Sequence, residues 1–373
     1  MFHLMFSLPC VVVLIRWLLP LPLAGRTKLA GAVVLALVSQ YHLWSRFSSG
    51  SVFSPEFPKF LIILFNWAFG AILLLAVFQL LLDLGALLVL LVRRRRVPIA
   101  ACLRAAIGIM AMLLAAVGVM QAIKPPPLKD VQIAVKDLPR EFDGYRVLHL
   151  TDLHISRLFD AAWTRKLVDD ANALGADLIV ITGDLIDGNV ADREADVAAL
   201  RDLRARDGVW VIPGNHEYFF GHSEWMAYFA GLNMRPLDNR HTIVKRGSGQ
   251  LVLAGVNDVT APRTGAPAPD LDAALRGAPS GVPVVLLDHQ PRNARLSASR
   301  GVALQLSGHT HGGMIVGLDQ VVARANNGFV SGRYEVDGMT LYLNNGTALW
   351  PGFALRLGVP AELTRITLRR QGP

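Results

Sequence analysis

DLIVITGDLID, residues 177–187, joins an unbroken apolar run to a glycine and two carboxylates. A run this short, closed by a turn signal, reads as a strand. Gly183 lets the backbone turn sharply where the strand ends, and Asp184 is presented there. Working outward, the same grammar recurs: YRVLHL (145–150) precedes TDLH, GVWVIP (208–213) precedes GNHE, VPVVLL (282–287) precedes DHQP, and VALQLS (302–307) precedes GHTHGG. LVLAGV (251–256) is a further strand, and residues 161–174 and 192–206 carry apolar positions at helical spacing. Strands alternating with helices give an α/β fold. The polar motifs collect at the carboxyl ends of strands, where open α/β sheets keep their sites.

Those motifs hold Asp152 and His154, Asp184, Asn215 and His216, His289, and His309 and His311, which are oxygen and imidazole donors suited to divalent cations. Taken singly, each has a plain structural reading. Asp184 or Asp187 would cap the next helix, with a place behind the ligands as the alternative for Asp187, an Asn-His pair would serve a turn, and His289 would be a satisfied core histidine, with Pro291 ending its strand or opening a helix. Asp152 and His154, two apart in an extended segment, would point to one side. So would His309 and His311, among Gly308, Gly312 and Gly313. The joint pattern decides: five of the ten histidines occupy strand-end motifs. No GxxxxGK[ST], no GxGxxG after a strand and no GxSxG occurs, so phosphate-loop nucleotide binding and serine hydrolysis have no support.

Charge divides the chain at about residue 124. The first 123 residues carry ten Lys or Arg against Glu56 and Asp83, and the remainder carries 27 of each sign, so the net +8 belongs to the apolar third. A neutral C-terminal part with no basic cluster argues against nucleic acid as partner. Apolar stretches at 4–23, 27–45, 58–92 and 98–121 approach the ~20 residues that a crossing needs, and we read four spans. The third is read as a spanning half at 72–92 with an interfacial or tilted extension; a fifth crossing is the alternative. The first is an anchor rather than a signal peptide, having no basic n-region and Arg16 within its run. Arg26 and Lys28 in the first connection and Arg93–Arg96 in the third mark the cytoplasmic side. The reading is a multi-pass inner-membrane protein with its C-terminal domain extracytoplasmic. Asp83 is an intramembrane carboxylate with Arg16 or Arg104 as partner, for function or for helix packing. KPPPLKD (124–130) is a stiff linker between an anchor over 1–123 and a domain over 131–373. Cys10 and Cys102 lie in or beside apolar spans, so the domain carries no cysteine.

Residues from about 145 to 370 resemble the calcineurin-like metallophosphoesterase superfamily, whose blocks run DxH, GDxxD, GNH(D/E), H and GHxH. The resemblance implies a four-layer sandwich, two mixed sheets flanked by helices; the N-terminal transmembrane helical bundle that it would follow is read from hydropathy alone. It implies two divalent ions (Mn²⁺, Fe²⁺ or Fe³⁺, Zn²⁺ or Co²⁺). One would be held by Asp152, His154 and His311, the other by Asn215, His289 and His309, with Asp184 bridging. His216 would be unliganded, acting as general acid or transition-state stabiliser while a metal-bridging hydroxide attacks phosphorus. Glu217 stands where the family often has an orienting Asp, and Met314 replaces a common Gln. The C-terminal stretch 341–368 resembles the membrane-associated bacterial branch and directs Arg356 and Asn345 toward substrate; the alternative is a sheet edge with a surface arginine. The resulting expectation is a membrane-anchored phosphoesterase acting on a phosphomonoester, phosphodiester or pyrophosphate. Its substrate would be a phosphorylated small molecule or a lipid-linked phosphate, and its partner the lipid bilayer. The rival is a non-catalytic membrane sensor or scaffold with a structural metal or phosphate site.

Overall fold

The computed structural model describes residues 2–95 and 98–371; Arg96 of the basic block and the terminal Pro373 lie outside the described residues. The chain forms two compact units, residues 1–123 with 351–357, and residues 124–350 with 358–373.

In the first unit, α1 (Phe2–Val12) continues in π-helical turns over Val13–Leu18, followed by α2 (Gly25–Ser39), α3 (Tyr41–Ser49), α4 (Lys59–Arg93) and α5 (Ala101–Ile123). Among the described residues, only α4 and α5 are long and apolar enough to cross a membrane. With no proline inside it to break its ladder, α4 runs unbroken for 35 residues. That is about 52 Å at the α-helical rise, more than a bilayer's hydrocarbon. The stretch read as a second span is instead divided at Gln40 between α2, of 15 residues, and α3. Hydropathy averages over such a bend. Asp83 meets Arg16 at 2.9 and 3.0 Å and Gln79 Nε2 at 2.9 Å, and Arg104 Nη1 donates to Gln79 Oε1 at 3.0 Å. A polar network this well partnered fits the packing reading of Asp83.

The second unit contains two six-stranded mixed sheets. The first has the order β1 (Leu128–Val135), β12 (Leu363–Arg370), β2 (Arg146–Leu150), β3 (Leu178–Thr182), β4 (Val209–Ile212), β5 (Met234–Pro236). The second runs β10 (Gly332–Val336), β11 (Met339–Leu343), β9 (Leu304–Ser307), β8 (Val284–Leu287), β7 (Gly249–Gly255), β6 (Arg240–Arg246). Among the named strands, the β12–β2, β10–β11 and β6–β7 pairs are antiparallel and the other pairs parallel. Leu178, Val180 and Ile212 of the first sheet share one core with Leu253, Val285, Leu287, Leu304 and Leu306 of the second. Because side chains alternate along a strand, Leu286, Leu341 and Leu343 face the other way, against Ala274 and Ala294. Those alanines belong to α10 (Leu271–Leu275) and α11 (Ala294–Ser299). This two-sided burial is why the strand runs are continuously apolar.

Helices flank the sheets: α6 (Ala161–Ala173), α7 (Val190–Val197), α8 (Asn215–Phe219), α9 (His222–Gly231) and α12 (Asp319–Ala325) complete the set. Two expectations change. Residues 128–130, read as linker, are the first rungs of β1, which pairs in parallel with β12. The helix read over 192–206 ends at Val197 and tightens into 3₁₀ turns over Ala198–Asp202.

Candidate metal centre

The strand ends β2, β3, β4, β8 and β9 bring the predicted side chains together by bending the backbone. Asp152 (φ 53°), His154 (43°), Asp184 (53°), His309 (71°) and His311 (49°) all lie in the left-handed region. That region is uncommon for residues with a Cβ, and such residues gather at functional sites. The extended geometry expected for the Asp152–His154 and His309–His311 pairs is therefore not what forms; each pair sits in a tight turn. Close approach makes the turns possible. A Cβ on Gly183 would lie 2.4 Å from the Gly214 nitrogen, and one on Gly308 would lie 2.3 Å from Asp152 Oδ2.

Three overlapping donor groups result: Asp152, His154 and His311; Asp184, His289 and His309; and His154, Asp184 and His216. His154 Nε2 lies 3.4 Å from His311 Nε2, and His311 Nε2 lies 3.5 Å from Asp152 Oδ1. His289 Nε2 lies 3.2 Å from both Asp184 Oδ2 and Asn215 Oδ1. Thus the structure gathers all seven predicted ligand side chains and His216. Among them His309 alone is only part-buried, which leaves the centre open on its side.

The hydrogen-bond pattern assigns the imidazole tautomers. His154 Nδ1 meets Asp187 Oδ2 at 3.1 Å, and His289 Nδ1 donates to the Thr182 carbonyl at 2.7 Å. With those protons directed outward, each Nε2 faces a cluster of donor atoms, His311 Nε2 and Asp152 Oδ1 in one case, Asp184 Oδ2 and Asn215 Oδ1 in the other. Without a cation a proton on His289 Nε2 offsets the Asp184 charge, and a divalent ion would take its place, so the donor set fits divalent metal. Burial pushes the Asp152 carboxyl up. At Asp184 burial acts the same way, but His289 and His216 outweigh it and hold the group well below the usual carboxylate range. Burial would lower His216; Asp184 and Asp187 prevail and hold it up to about 9.

Two neighbours hold the site from behind, a place that the sequence offers Asp187 as the alternative to a helix cap. Asp187 takes His154 with one oxygen and pairs with His216 Nδ1 through the other. Its position three residues after Asp184 was the available signal. Glu217 has a different task from the orienting one that the resemblance suggested. Its carboxylate accepts from the backbone N–H of Asp184 at 2.9 Å, Leu185 at 2.7 Å and Gly214 at 2.7 Å, tying two strand-end turns together. The Asn345 amide meets Ser331 Oγ at 2.6 Å and the Pro360 carbonyl at 3.3 Å. Arg356, read as facing substrate or the surface, is fully buried in the first unit.

Residues 145–313 match the family model described as calcineurin-like phosphoesterase. A calcineurin-like metallophosphoesterase domain is thus what this chain carries, in agreement with the two mixed sheets and the His/Asp cluster at their strand ends. The chain is 35% identical over 263 residues to a transmembrane protein with metallophosphoesterase domain from Bos taurus, covering 67% of this chain and 59% of that protein. A protein of the same description from Danio rerio is 32% identical over 260 residues, covering 67% and 59%. An uncharacterized metallophosphoesterase from Helicobacter pylori (strain J99 / ATCC 700824) is 32% identical over 245 residues, covering 65% and 64%. The chain therefore spans about three-fifths of the length of these relatives.

Proposed function

We propose that the chain is a membrane-anchored phosphoesterase whose centre binds two divalent cations. The observation that carries this reading is the position of Asp184. Its Oδ2 lies 3.2 Å from His289 Nε2 and 4.0 Å from His154 Nε2, so one carboxylate serves donors on both sides. One ion would take Asp152, His154 and His311, the other Asn215, His289 and His309, and Asp184 would be shared. When bound, the ions would supply Lewis acidity toward phosphoryl oxygens and lower the pKa of an attacking water. The protein's own groups do the rest. Asp187 fixes the outward nitrogens of His154 and His216, which aims His216 Nε2 into the centre with a proton for a departing oxygen.

The anchor would comprise residues 1–123 and the phosphoesterase domain 131–373, joined through the proline run. A membrane setting is supported by two helices of spanning length and by relatives described as transmembrane proteins. If α4 and α5 cross as a hairpin, the positive-inside rule assigns the Arg93–Arg95 turn to the cytoplasm and the domain to the opposite side. Four crossings would give the same sidedness in the inner membrane. The domain begins directly after Ile123, the end of α5, which favours a phosphorylated headgroup or lipid-linked phosphate over a remote soluble ester.

The test uses the full chain in detergent or nanodiscs. Metal content is measured after purification without added ions, then turnover of an aryl phosphate, a bis-aryl phosphate and a lipid pyrophosphate with added Mn²⁺. Two bound ions and metal-dependent release of phosphate or alcohol are expected. Full metal loading with no turnover of any ester would replace this reading with the scaffold one.

A further inference from the structure

Arg193 of α7 and Trp225 of α9 are both fully buried. Burying a guanidinium can cost more than its ion pair returns, and an apolar side chain of similar size often serves stability as well. The partners of Arg193 therefore say what it is for. Its Nη1 donates to Asp196 Oδ2 at 3.0 Å, which balances the charge, and its Nε donates to the Asp187 carbonyl at 2.9 Å. Trp225 Nε1 donates to the next carbonyl, that of Gly188, at 3.0 Å. Two consecutive carbonyls are thus held by buried side chains from two helices.

The backbone there needs holding. Gly188 has φ 133°, a conformation that residues with a Cβ rarely adopt, and the chain turns at this point from the end of β3 toward α7. On the other side the Asp187 N–H donates to Ile155 O at 2.9 Å, one residue after His154. Asp187 is therefore fixed through both its N–H and its carbonyl. Its side chain meets His154 Nδ1 with one oxygen and His216 Nδ1 with the other. A carboxylate that serves two imidazoles at once tolerates little displacement, because hydrogen bonds weaken steeply away from their preferred distance and angle.

Resting on the two-metal reading above, we infer that Arg193 and Trp225 are positioning residues of the centre. They act through the backbone of Asp187 and Gly188, which sets where the Asp187 oxygens meet His154 and His216. One metal position and the proton donor are then adjusted together.

Binding of Mn²⁺ to the full chain in detergent is measured for wild type, Arg193→Lys, Trp225→Phe and, as control, Tyr228→Phe, which removes an exposed 3.4 Å bond from α9 to the Glu194 carbonyl of α7. Arg193→Lys keeps the charge opposite Asp196 and loses the planar fork that reaches two partners. Trp225→Phe keeps an aromatic ring and loses the N–H. Both variants should bind one ion at wild-type affinity and the other about tenfold more weakly, the lower end of what outer partners of ligating histidines contribute, with circular dichroism unchanged. Turnover of an alkyl phosphate should also fall about fivefold further than that of a nitrophenyl phosphate, whose leaving group needs no proton. A role in folding alone would lower both esters alike. Tyr228→Phe should match wild type in every measurement, and Trp225→Phe carries the test if Arg193→Lys fails to fold. Both ions at wild-type affinity in both variants, or equal weakening of both ions, would overturn the inference alone. A wild-type chain that binds no divalent ion would overturn the two-metal reading, and the inference with it.

Discussion

Asp187 Oδ2 lies 3.1 Å from His154 Nδ1, and this contact decides which ring nitrogen of His154 faces the centre. A proton held on Nδ1 leaves Nε2 as a donor to metal. Asp187→Asn offers an amide that can present either N–H or oxygen to that nitrogen, so the tautomer is no longer enforced. Outer-shell partners of ligating histidines are commonly worth about 10–100-fold in metal affinity. We expect a loss of that size for the ion beside Asp152, read by competitive metal titration. Wild-type affinity in Asp187→Asn would mean that the contact is only structural.

His216 shares Asp187 with His154 but is expected to act on a proton rather than a metal. His216→Gln should retain two metal equivalents and lose about 10²–10⁴-fold in turnover of alkyl esters, the usual span for general acid catalysis. Aryl esters with nitrophenolate leaving groups need no proton on departure and should lose much less. Equal losses on both substrate types would remove the acid role. Loss of one metal equivalent would make His216 a ligand.

Glu217 serves three backbone N–H groups, those of Asp184, Leu185 and Gly214. Glu217→Ala would leave all three buried and unsatisfied, at about 1–3 kcal/mol each. The second unit of Glu217→Ala should therefore be less stable by on the order of 3 kcal/mol or more, measured in chelator so that metal loss does not contribute. A shift under about 1 kcal/mol would indicate that water replaces the carboxylate.

The centre was legible because its grammar is local: an apolar run buried on both faces and then a donor, with a glycine between them after β3, β4 and β9. Runs such as VVLL in β8 carry that signal within four residues. Edge strands do not. RHTIVKR of β6 and GRYEV of β10 are half exposed and charged, and β1 begins inside what reads as a proline-rich linker. Spacing alone could not disclose the left-handed turns at Asp152 and His309, which depend on Gly183 and Gly308 allowing chains to touch. Nor could it disclose the task of Glu217, whose backbone partners have no side-chain signature.

His149, on β2, supplies a pH test of the fold that is separate from the metal ligands. It is fully buried, its Nε2 lies 2.8 Å from Thr182 Oγ1, and its Nδ1 has no partner among the described residues. Protonation would strand a charged N–H, and burial pushes its pKa down to about 3. An unfolded histidine titrates near 6.5. Between those values the unfolded chain binds the extra proton, so stability rises with pH across this window and is lost as pH falls below about 6.5. From neutrality to pH 5 the cost is about 2 kcal/mol, or a factor of roughly 30 in the opening equilibrium. Hydrogen exchange of the amides in β2 and β3, followed in chelator, senses opening of this sheet whatever the helices do. The wild-type protection factors there should fall about 30-fold more between pH 7 and pH 5 than those of His149→Gln, which carries no titrating ring. Equal acid losses in the two proteins would show that His149 is not the group that the folded sheet keeps neutral.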